Sequence, residues 1–318
     1  MTVLCGILAV LLCALLSYSC VMQRTVRRAD ARADRDPATG VIRGLEAATI
    51  SPPPGASSAT LHTACLLVHG FVGSRRDFND LGEELARRGL TVRMMRLPGH
   101  GTSPADFARL PPGALLEAVR REFRDLRAQY AAVDVVGFSM GGALSALLAA
   151  EEPVDRLVLV APYYRVRYFW FYLLPPETWN ALVGRMVRYV PKWQRFVQVN
   201  DRSMAANIFT YDALPTAGVR QLIALGKTAR RRDVLGKLKC PVLVVHSSGD
   251  VAASFRASCQ AFELIGSPRK EGLWLTRSNH HVFWDYDREE VKQRIAAFLV
   301  PAATCETARA AAAETNAR

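Results

Sequence analysis

Short apolar runs alternate with longer amphipathic stretches along most of the chain. The apolar runs lie at residues 64–68, 91–96, 133–137, 156–160, 241–245 and 271–276. The amphipathic stretches of helical length lie at residues 77–88, 113–130, 140–151, 254–265 and 287–299. Strands that alternate with helices are typical of a parallel sheet covered by helices on both faces. The pattern therefore predicts an α/β fold with a mostly parallel sheet.

The alternation lapses between two of the predicted strands, at residues 162–238. This stretch has the pattern of several helices interrupted by prolines, which end helices because they lack a backbone N–H. We expect it to form a helical cap over the carboxyl edge of the sheet. Lys and Arg outnumber Asp and Glu there by 13 to 4, so the cap holds most of the net charge of +12.

The first part of this cap is rich in aromatic and basic side chains. The aromatic residues there are Tyr163, Tyr164, Tyr168, Phe169, Trp170, Phe171, Tyr172, Trp179, Tyr189 and Trp193. The basic residues between them are Arg165, Arg167, Arg185, Arg188 and Lys192. Such a mixture suits contact with an anionic membrane, although a packed cap with solvated arginines is the alternative. No nucleic-acid-binding motif is present, and we expect no nucleic-acid partner.

An uncharged apolar stretch occupies residues 3–22 and is long enough to cross a bilayer as a helix. Signal peptides normally begin with basic residues, but no Lys or Arg precedes Arg24, so a single membrane anchor over residues 1–22 is predicted rather than a cleaved signal segment. The arginines that follow favour a cytoplasmic catalytic domain. Residues 16–20 loosely resemble a lipobox, so an exported lipoprotein acylated at Cys20 is the alternative.

Composition shifts divide the rest of the chain. Residues 23–59 are charged and then turn-rich, which predicts a linker with a possible first strand, and residues 60–300 form the predicted globular domain. The Ala-rich residues 301–318 are expected to be a disordered tail. None of the seven cysteines forms a C-x-x-C pair, so we predict neither a metal site nor a disulfide framework.

One G-x-S-x-G motif lies directly after a predicted strand and before a predicted helix, at residues 137–141. A tight turn between strand and helix lifts a serine hydroxyl out of the sheet and places it at a helix N-terminus, which favours developing negative charge. This context identifies Ser139 as the candidate nucleophile. The alternative is a glycine turn that carries a solvated serine.

Backbone N–H groups for an oxyanion hole are predicted at two positions. The strand at 64–68 runs into His69-Gly70-Phe71, a loop that can present the Phe71 N–H toward Ser139, and the Met140 N–H follows the nucleophile. Donors of this kind stabilise charge that appears only in the tetrahedral intermediate. His69 itself is expected to brace the loop rather than to titrate.

A serine nucleophile needs a base and an orienting acid, here expected in the chain order Ser, Asp, His. Asp250 follows the strand at 241–245, and His280 and His281 follow the strand at 271–276, so these residues lie at carboxyl ends of strands. Asp233 and Asp285 are alternative acids that end no strand. The residues alone do not decide between His280 and His281, and His62, His100 and His246 are expected to be structural.

These motifs together resemble the bacterial carboxylesterase and monoacylglycerol lipase branch of the α/β-hydrolase superfamily, over about residues 60–300. The matching segments are His69-Gly70-Phe71 with Gly73-Ser74, Leu97-Pro98-Gly99-His100-Gly101, the turn at Ser139, the turn at Asp250, and Ser278-Asn279-His280. The resemblance implies an S-x-H motif followed five residues later by Asp, a spacing that His280 and Asp285 satisfy. It therefore favours His280 as the base.

The expected function is hydrolysis of carboxylic esters, from small esters to acylglycerols, through an acyl-enzyme on Ser139 without a cofactor. The resemblance supports a carboxylesterase or a monoacylglycerol lipase. A lysophospholipase or an acyltransferase that acts on membrane lipids is the alternative. A non-catalytic membrane-bound binding module is a third possibility, but such a module has no need of an aligned serine, acid and histidine.

Overall fold

A computed structural model describes residues 2–55, 62–169, 173–192 and 197–300. Nine strands occur in these residues: β1 Ala48–Ile50, β2 Thr63–Val68, β3 Thr91–Met94, β4 Ala132–Phe138, β5 Leu157–Val160, β6 Tyr189–Pro191, β7 Ala213–Pro215, β8 Val242–Ser247 and β9 Lys270–Leu275. The predicted disordered tail, residues 301–318, lies outside the described residues.

Seven of the described strands form one sheet in the order β1-β3-β2-β4-β5-β8-β9. β1 is antiparallel to β3, and every other neighbouring pair is parallel. β1 occupies the place of the possible first strand that was expected within residues 23–59. Each predicted apolar run lies in one of the parallel strands, which confirms the mostly parallel sheet.

The central strands are apolar on both faces because helices cover both. The described helices are α1 Thr2–Arg32, α2 Leu81–Arg87, α3 Pro104–Ala108, α4 Ala114–Arg127, α5 Met140–Ala149, α6 Pro176–Val183, α7 Thr216–Ala229, α8 Arg232–Leu235, α9 Phe255–Leu264 and α10 Arg288–Leu299. One core contains α4, α5 and α9, and the other contains α2 and α10. Residues of β2, β4, β5 and β8 contribute to both cores, so the sheet is the shared wall.

The periodicity of α4 shows why these segments are helical. Leu115, Val119, Phe123 and Leu126 recur at intervals of three and four residues, and all four are buried. Arginines and glutamates occupy the solvent side, where Arg120 pairs with Glu151. The helix therefore buries one apolar stripe against the sheet, as an amphipathic surface helix does.

The cap lies between β5 and β8, where the sequence pattern lapses. It contains α6, α7 and α8, as expected, together with a two-stranded antiparallel sheet of β6 and β7 that was not predicted. These strands have three residues each, too few for an apolar alternation to stand out in the sequence. The carboxyl ends of β2, β4, β5, β8 and β9 point toward the cap.

The N-terminal helix α1 runs through the boundary that was predicted at residue 22 and joins the cap. Met22 and Val26 pack against Tyr189 of β6, and the Arg188 N–H donates to the Ser19 hydroxyl at 3.4 Å. Among the residues that the structure describes, no helix combines the length and the apolar character that crossing a bilayer requires. The membrane anchor and the cytoplasmic location stay predictions.

Candidate active site

Ser139 occupies a strained turn between β4 and α5. Its φ of 53° and ψ of −114° lie outside the regions that L-residues usually adopt, a conformation that costs on the order of 1–3 kcal/mol and persists only where the surroundings hold it. The Ser139 N–H donates to the Val160 carbonyl of β5 at 2.9 Å. The turn is thus tied to the neighbouring strand and projects the hydroxyl above the carboxyl edge of the sheet.

Glycines let the segments around this turn approach closely. A Cβ atom on Gly141 would lie 1.9 Å from the Val68 carbonyl oxygen of β2, and a Cβ on Gly137 would lie 2.4 Å from the Gly141 carbonyl oxygen. Both distances are far below van der Waals contact. The glycines of the motif therefore serve packing of α5 onto β2 and β4, which sets the position of Ser139.

The structure brings Ser139, His280 and Asp250 into one hydrogen-bonded chain. The Ser139 hydroxyl lies 2.9 Å from Nε2 of His280, and Nδ1 of the same ring lies 2.7 Å from Oδ2 of Asp250. All three residues are buried. This geometry lets the imidazole take the serine proton at Nε2 while its Nδ1–H donates to the carboxylate.

Asp250 is held in its ionised form by several donors. Oδ1 accepts from the N–H groups of Ala252 and Ala253 at 2.7 and 2.9 Å. Burial alone would raise the pKa of Asp250, but the charge of His280 and hydrogen bonds from His280 and His246 hold that pKa below its usual range. The carboxylate is therefore available to orient the imidazole at neutral pH.

His246 was expected to be structural, yet it lies directly against Asp250. Its Nε2 is 3.0 Å from Asp250 Oδ2, and its Nδ1 is 2.7 Å from the Ser258 hydroxyl of α9. The ionised Asp250 carboxylate can only accept, so Nε2 of His246 carries a proton that points to the acid, and Nδ1 of the neutral ring accepts the Ser258 O–H. The sequence does carry a signal for this contact, because His246 lies at the end of β8, only four residues before Asp250.

His281 lies beside this chain without joining it. Its N–H donates to the Gln198 carbonyl at 3.0 Å, and its Nδ1 has no hydrogen-bond partner among the described residues. Burial and the charges of His280 and Lys192 hold the pKa of His281 well below 6.5, against a smaller opposite effect of Asp250. The ring is therefore neutral at physiological pH.

The two alternative acids lie elsewhere. Asp285 accepts hydrogen bonds from the N–H groups of Asn200, Asp201 and Asn279, so it joins the loop after β9 to the cap. Asp233 forms an exposed ion pair with Arg231. Neither carboxylate contacts His280 or His281.

The predicted oxyanion donors belong to adjacent segments. β2 and β4 are parallel neighbours in which Val68 pairs with Gly137, so the loop with Phe71 lies next to the turn with Ser139 and Met140. His69 braces this loop, since its Nε2 accepts from the Leu97 N–H at 3.0 Å and its Nδ1 donates to the Gly70 carbonyl at 3.0 Å. Burial lowers the pKa of His69 to about 4, so the ring stays neutral.

A cavity of about 700 Å³ lies between the cap and the sheet and contains Ser139 and His280 in its wall. Its volume suits a drug-sized or lipid-sized ligand. Cap residues make most of the wall apolar, among them Val183, Val187, Leu214, Val219, Leu222 and Ile223. Among the described residues, no group of three His, Cys, Asp or Glu side chains is placed to hold a metal ion.

Known lipases and esterases are similar to this chain in sequence and in structure. A thermostable monoacylglycerol lipase from Bacillus sp. strain H-257 is 28% identical over 234 residues, which cover 74% of this chain and 89% of that protein. A carboxylesterase from Bacillus subtilis strain 168 is 22% identical over 238 residues, with coverage of 74% and 92%. A structure of the metagenome-derived lipolytic enzymes LipS and LipT aligns with a TM-score of 0.71 and 27% identity, over 81% of this chain and 98% of that one.

The family model described as serine aminopeptidase, S33, matches residues 59–287, which is most of the chain. The match, together with the parallel sheet and its solved relatives, confirms the predicted α/β-hydrolase fold and the predicted class, a serine hydrolase of carboxylic esters. The chain therefore belongs to the serine aminopeptidase S33 family of α/β hydrolases.

Proposed function

We propose that Ser139, His280 and Asp250 are the catalytic residues of this ester hydrolase and that it cleaves acylglycerols and related esters of long-chain acids. The observation that carries the assignment is the hydrogen-bonded chain from the Ser139 hydroxyl to the Asp250 carboxylate, with contacts of 2.9 and 2.7 Å, in the wall of an apolar cavity. A nucleophile, its base and an orienting acid within hydrogen-bond reach are the signature of covalent acyl transfer.

In the proposed mechanism, Nε2 of His280 takes the proton of Ser139 while Oγ attacks the ester carbonyl carbon. The N–H groups of Phe71 and Met140 stabilise the oxyanion of the tetrahedral intermediate. The intermediate collapses, the C–O bond of the ester breaks, and His280 gives its proton to the departing alcohol. Water, activated by the same imidazole, then attacks the acyl-enzyme and releases the acid.

The shape of the cavity supports an acylglycerol substrate. Its wall is largely aliphatic where the cap helices α6 and α7 face the sheet, which favours an acyl chain. Two similar proteins are described as a monoacylglycerol lipase and a carboxylesterase, so their names cover both acylglycerols and simpler carboxylic esters. Both of these relatives are named as ester hydrolases, which favours hydrolysis over the acyltransferase alternative.

The test is hydrolysis of p-nitrophenyl esters from acetate to palmitate and of 1-monooleoylglycerol. We expect an optimum at medium or long chains, and we expect Ser139→Ala and His280→Ala to lower kcat by about 10⁴-fold or more. His62→Ala, which changes an exposed histidine, is the control. A protein that hydrolyses none of these esters and does not react with a fluorophosphonate probe would instead support the binding module.

We also propose that the first two thirds of α1 attach the enzyme to a membrane, with the basic aromatic cap toward the lipid. Val10, Leu16 and Val21 are 69, 53 and 59% exposed, and Tyr168 and Trp179 of the cap are 47 and 41% exposed. Exposed apolar side chains in such number favour a lipid surface. Recovery of the full chain in the soluble fraction of cells would contradict the attachment. Protease accessibility on intact cells would show on which side of the membrane the catalytic domain lies.

A further inference from the structure

The cavity wall is largely apolar but has a polar cluster beside the catalytic residues, and Glu177, Asn180, Thr210 and Thr216 of the cap add further polar groups to the wall. Asp77, Lys192, Gln198 and His281 form the cluster and line the cavity together with Ser139 and His280. The four residues of the cluster come from separate elements: the segment after β2, the segment after β6, the cap loop and the loop after β9. The proposed mechanism uses none of the four.

Lys192 is the cation of this cluster. Its N–H donates to the Asp212 carbonyl at 2.7 Å, which fixes the backbone at the end of the β6–β7 pair. Its ammonium forms no hydrogen bond and no ion pair within 4 Å with any residue that the structure describes. Burial lowers the pKa of Lys192 to about 8 although Asp77 opposes the shift, so the side chain remains largely charged at neutral pH.

The Asp77 carboxylate is engaged elsewhere and does not form a contact pair with Lys192. Its Oδ2 accepts the Gly70 N–H at 2.9 Å and so supports the loop that carries Phe71. Asp77 is buried, and its Oδ1 has no hydrogen-bond partner among the described residues. Burial raises the pKa of Asp77 to about 7, against the effects of Gly70, Lys192 and His280, so much of its compensating charge is lost near neutrality.

The Lys192 side chain is half-buried in the cavity wall, and an ammonium that is partly withdrawn from water without a hydrogen-bond partner carries a desolvation cost that a group of opposite charge can offset. His281 is neutral and therefore adds no second positive charge. A negatively charged group of a ligand can reach Lys192 through the cavity. Charge-assisted hydrogen bonds from an ammonium to a carboxylate or a phosphate are among the stronger contacts in a low-dielectric site.

We propose that Lys192 binds an anionic group, a carboxylate or a phosphate, carried by the ester substrate, and so selects amphiphilic esters that carry an anionic group away from the ester bond. The inference rests on the proposed function, since it takes the ester carbonyl to lie at Ser139. The anion can belong to the alcohol, as in a lysophosphatidic acid, or to the far end of the acyl chain, as in a monoester of a dicarboxylic acid. In both cases the chemistry at Lys192 is the same.

The experiment compares matched neutral and anionic esters with the full chain. On the alcohol side the pair is 1-oleoylglycerol and 1-oleoylglycerol 3-phosphate, and on the acyl side it is methyl octanoate and monomethyl octanedioate. We expect Lys192→Met to lower the ratio of kcat/KM for the anionic member to that for the neutral member by about 10- to 100-fold in one pair, mainly through KM. The affected pair identifies the position of the anion.

Lys227→Met is the matched control, because it removes the same charge from the exposed face of α7. Lys192→Arg should restore part of the ratio. An unchanged ratio in both pairs for Lys192→Met, with neutral esters still hydrolysed, would overturn the role of Lys192 and leave the proposed function intact.

A second measurement does not depend on turnover. In calorimetry, Ser139→Ala protein should bind monomethyl octanedioate more tightly than methyl octanoate, and Lys192→Met should remove that preference. If no ester is hydrolysed by the wild-type protein but the preference is observed, the proposed function fails and the anion site stands. Equal binding of both ligands would overturn the anion site.

Discussion

At the scale of the residue, Asp250 gathers hydrogen bonds from two backbone N–H groups and from two histidines. An acid held this firmly keeps both its charge and its direction, which is what orientation of His280 requires. The contribution of His246 is separable from that of His280, because His246 lies between Asp250 and Ser258 and is not part of the cavity wall.

We predict that His246→Ala lowers kcat about tenfold and changes KM little. The variant removes one buried donor to Asp250, a loss of roughly 1–3 kcal/mol in its local hydrogen bonding, without touching the cavity. Steady-state kinetics on a p-nitrophenyl ester measure the effect. His246→Gln, which keeps an N–H donor, should recover part of kcat, whereas equal losses in both variants would indicate a packing role only.

Ser139 could be predicted from the sequence because a short motif and its flanking elements are local in the chain. Asp250 and His280 could be predicted because chain order and strand ends restrict the choice, although the resemblance was needed to favour His280 over its neighbour. The presence of Lys192 and Asp77 in one cavity wall could not be predicted, since the cap and the loop after β2 come together only in the folded chain. Their types and spacing in the sequence carry no sign of it.

At the scale of the element, the position of α5 against β2 governs the turn that carries Ser139. Close approach of the two is possible only because Gly141 lacks a side chain. The sequence pattern predicted the parallel strands and their covering helices, because burial on one or both faces leaves a regular apolar signature. It missed β6 and β7 because a pair of three-residue strands is defined by its tertiary partners.

We predict that Gly141→Ala lowers the free energy of unfolding by about 2 kcal/mol or more, because a Cβ 1.9 Å from the Val68 carbonyl oxygen forces α5 away from the sheet. Denaturant unfolding measures the change. Gly6→Ala, which has open space around it in α1, is the control and should alter the stability by less than about 1 kcal/mol. If the free energy of unfolding of Gly141→Ala equals that of the wild type, α5 can shift without a loss of stability, and the prediction is contradicted.

At the scale of the whole molecule, buried acids set how the stability depends on pH. Asp134 lies in β4, fully buried and 3.7 Å from Arg156. Burial and the charge of Asp155 raise its pKa from 3.8 to about 7, against the effect of Arg156. Between about pH 4 and pH 7 the folded state thus binds more protons at Asp134 than the unfolded chain does, so the stability falls as the pH rises through that window.

We predict that Asp134→Asn removes the fall in stability that the buried Asp134 carboxylate causes as the pH rises. Relative to the wild type, its free energy of unfolding should be about 1–3 kcal/mol higher at pH 8, and the difference should shrink as the pH falls toward 4. Urea unfolding at pH 4.5, 6 and 8 measures the difference. Asp233→Asn, an exposed carboxylate, should show no such trend, and a constant difference at all three pH values would contradict the role of the buried charge.

The packing of α1 on the cap would link any cleavage of the N-terminus to the cavity. Cleavage ahead of Cys20, which the lipobox alternative requires, would remove Ser19 and its hydrogen bond from Arg188 but leave Met22 and Val26 against Tyr189. The new first residue, with any lipid attached to it, would then lie beside the strand that leads to Lys192. Cleavage of the N-terminus would thus change the surroundings of the cap strand that precedes Lys192, the residue proposed to select the substrate.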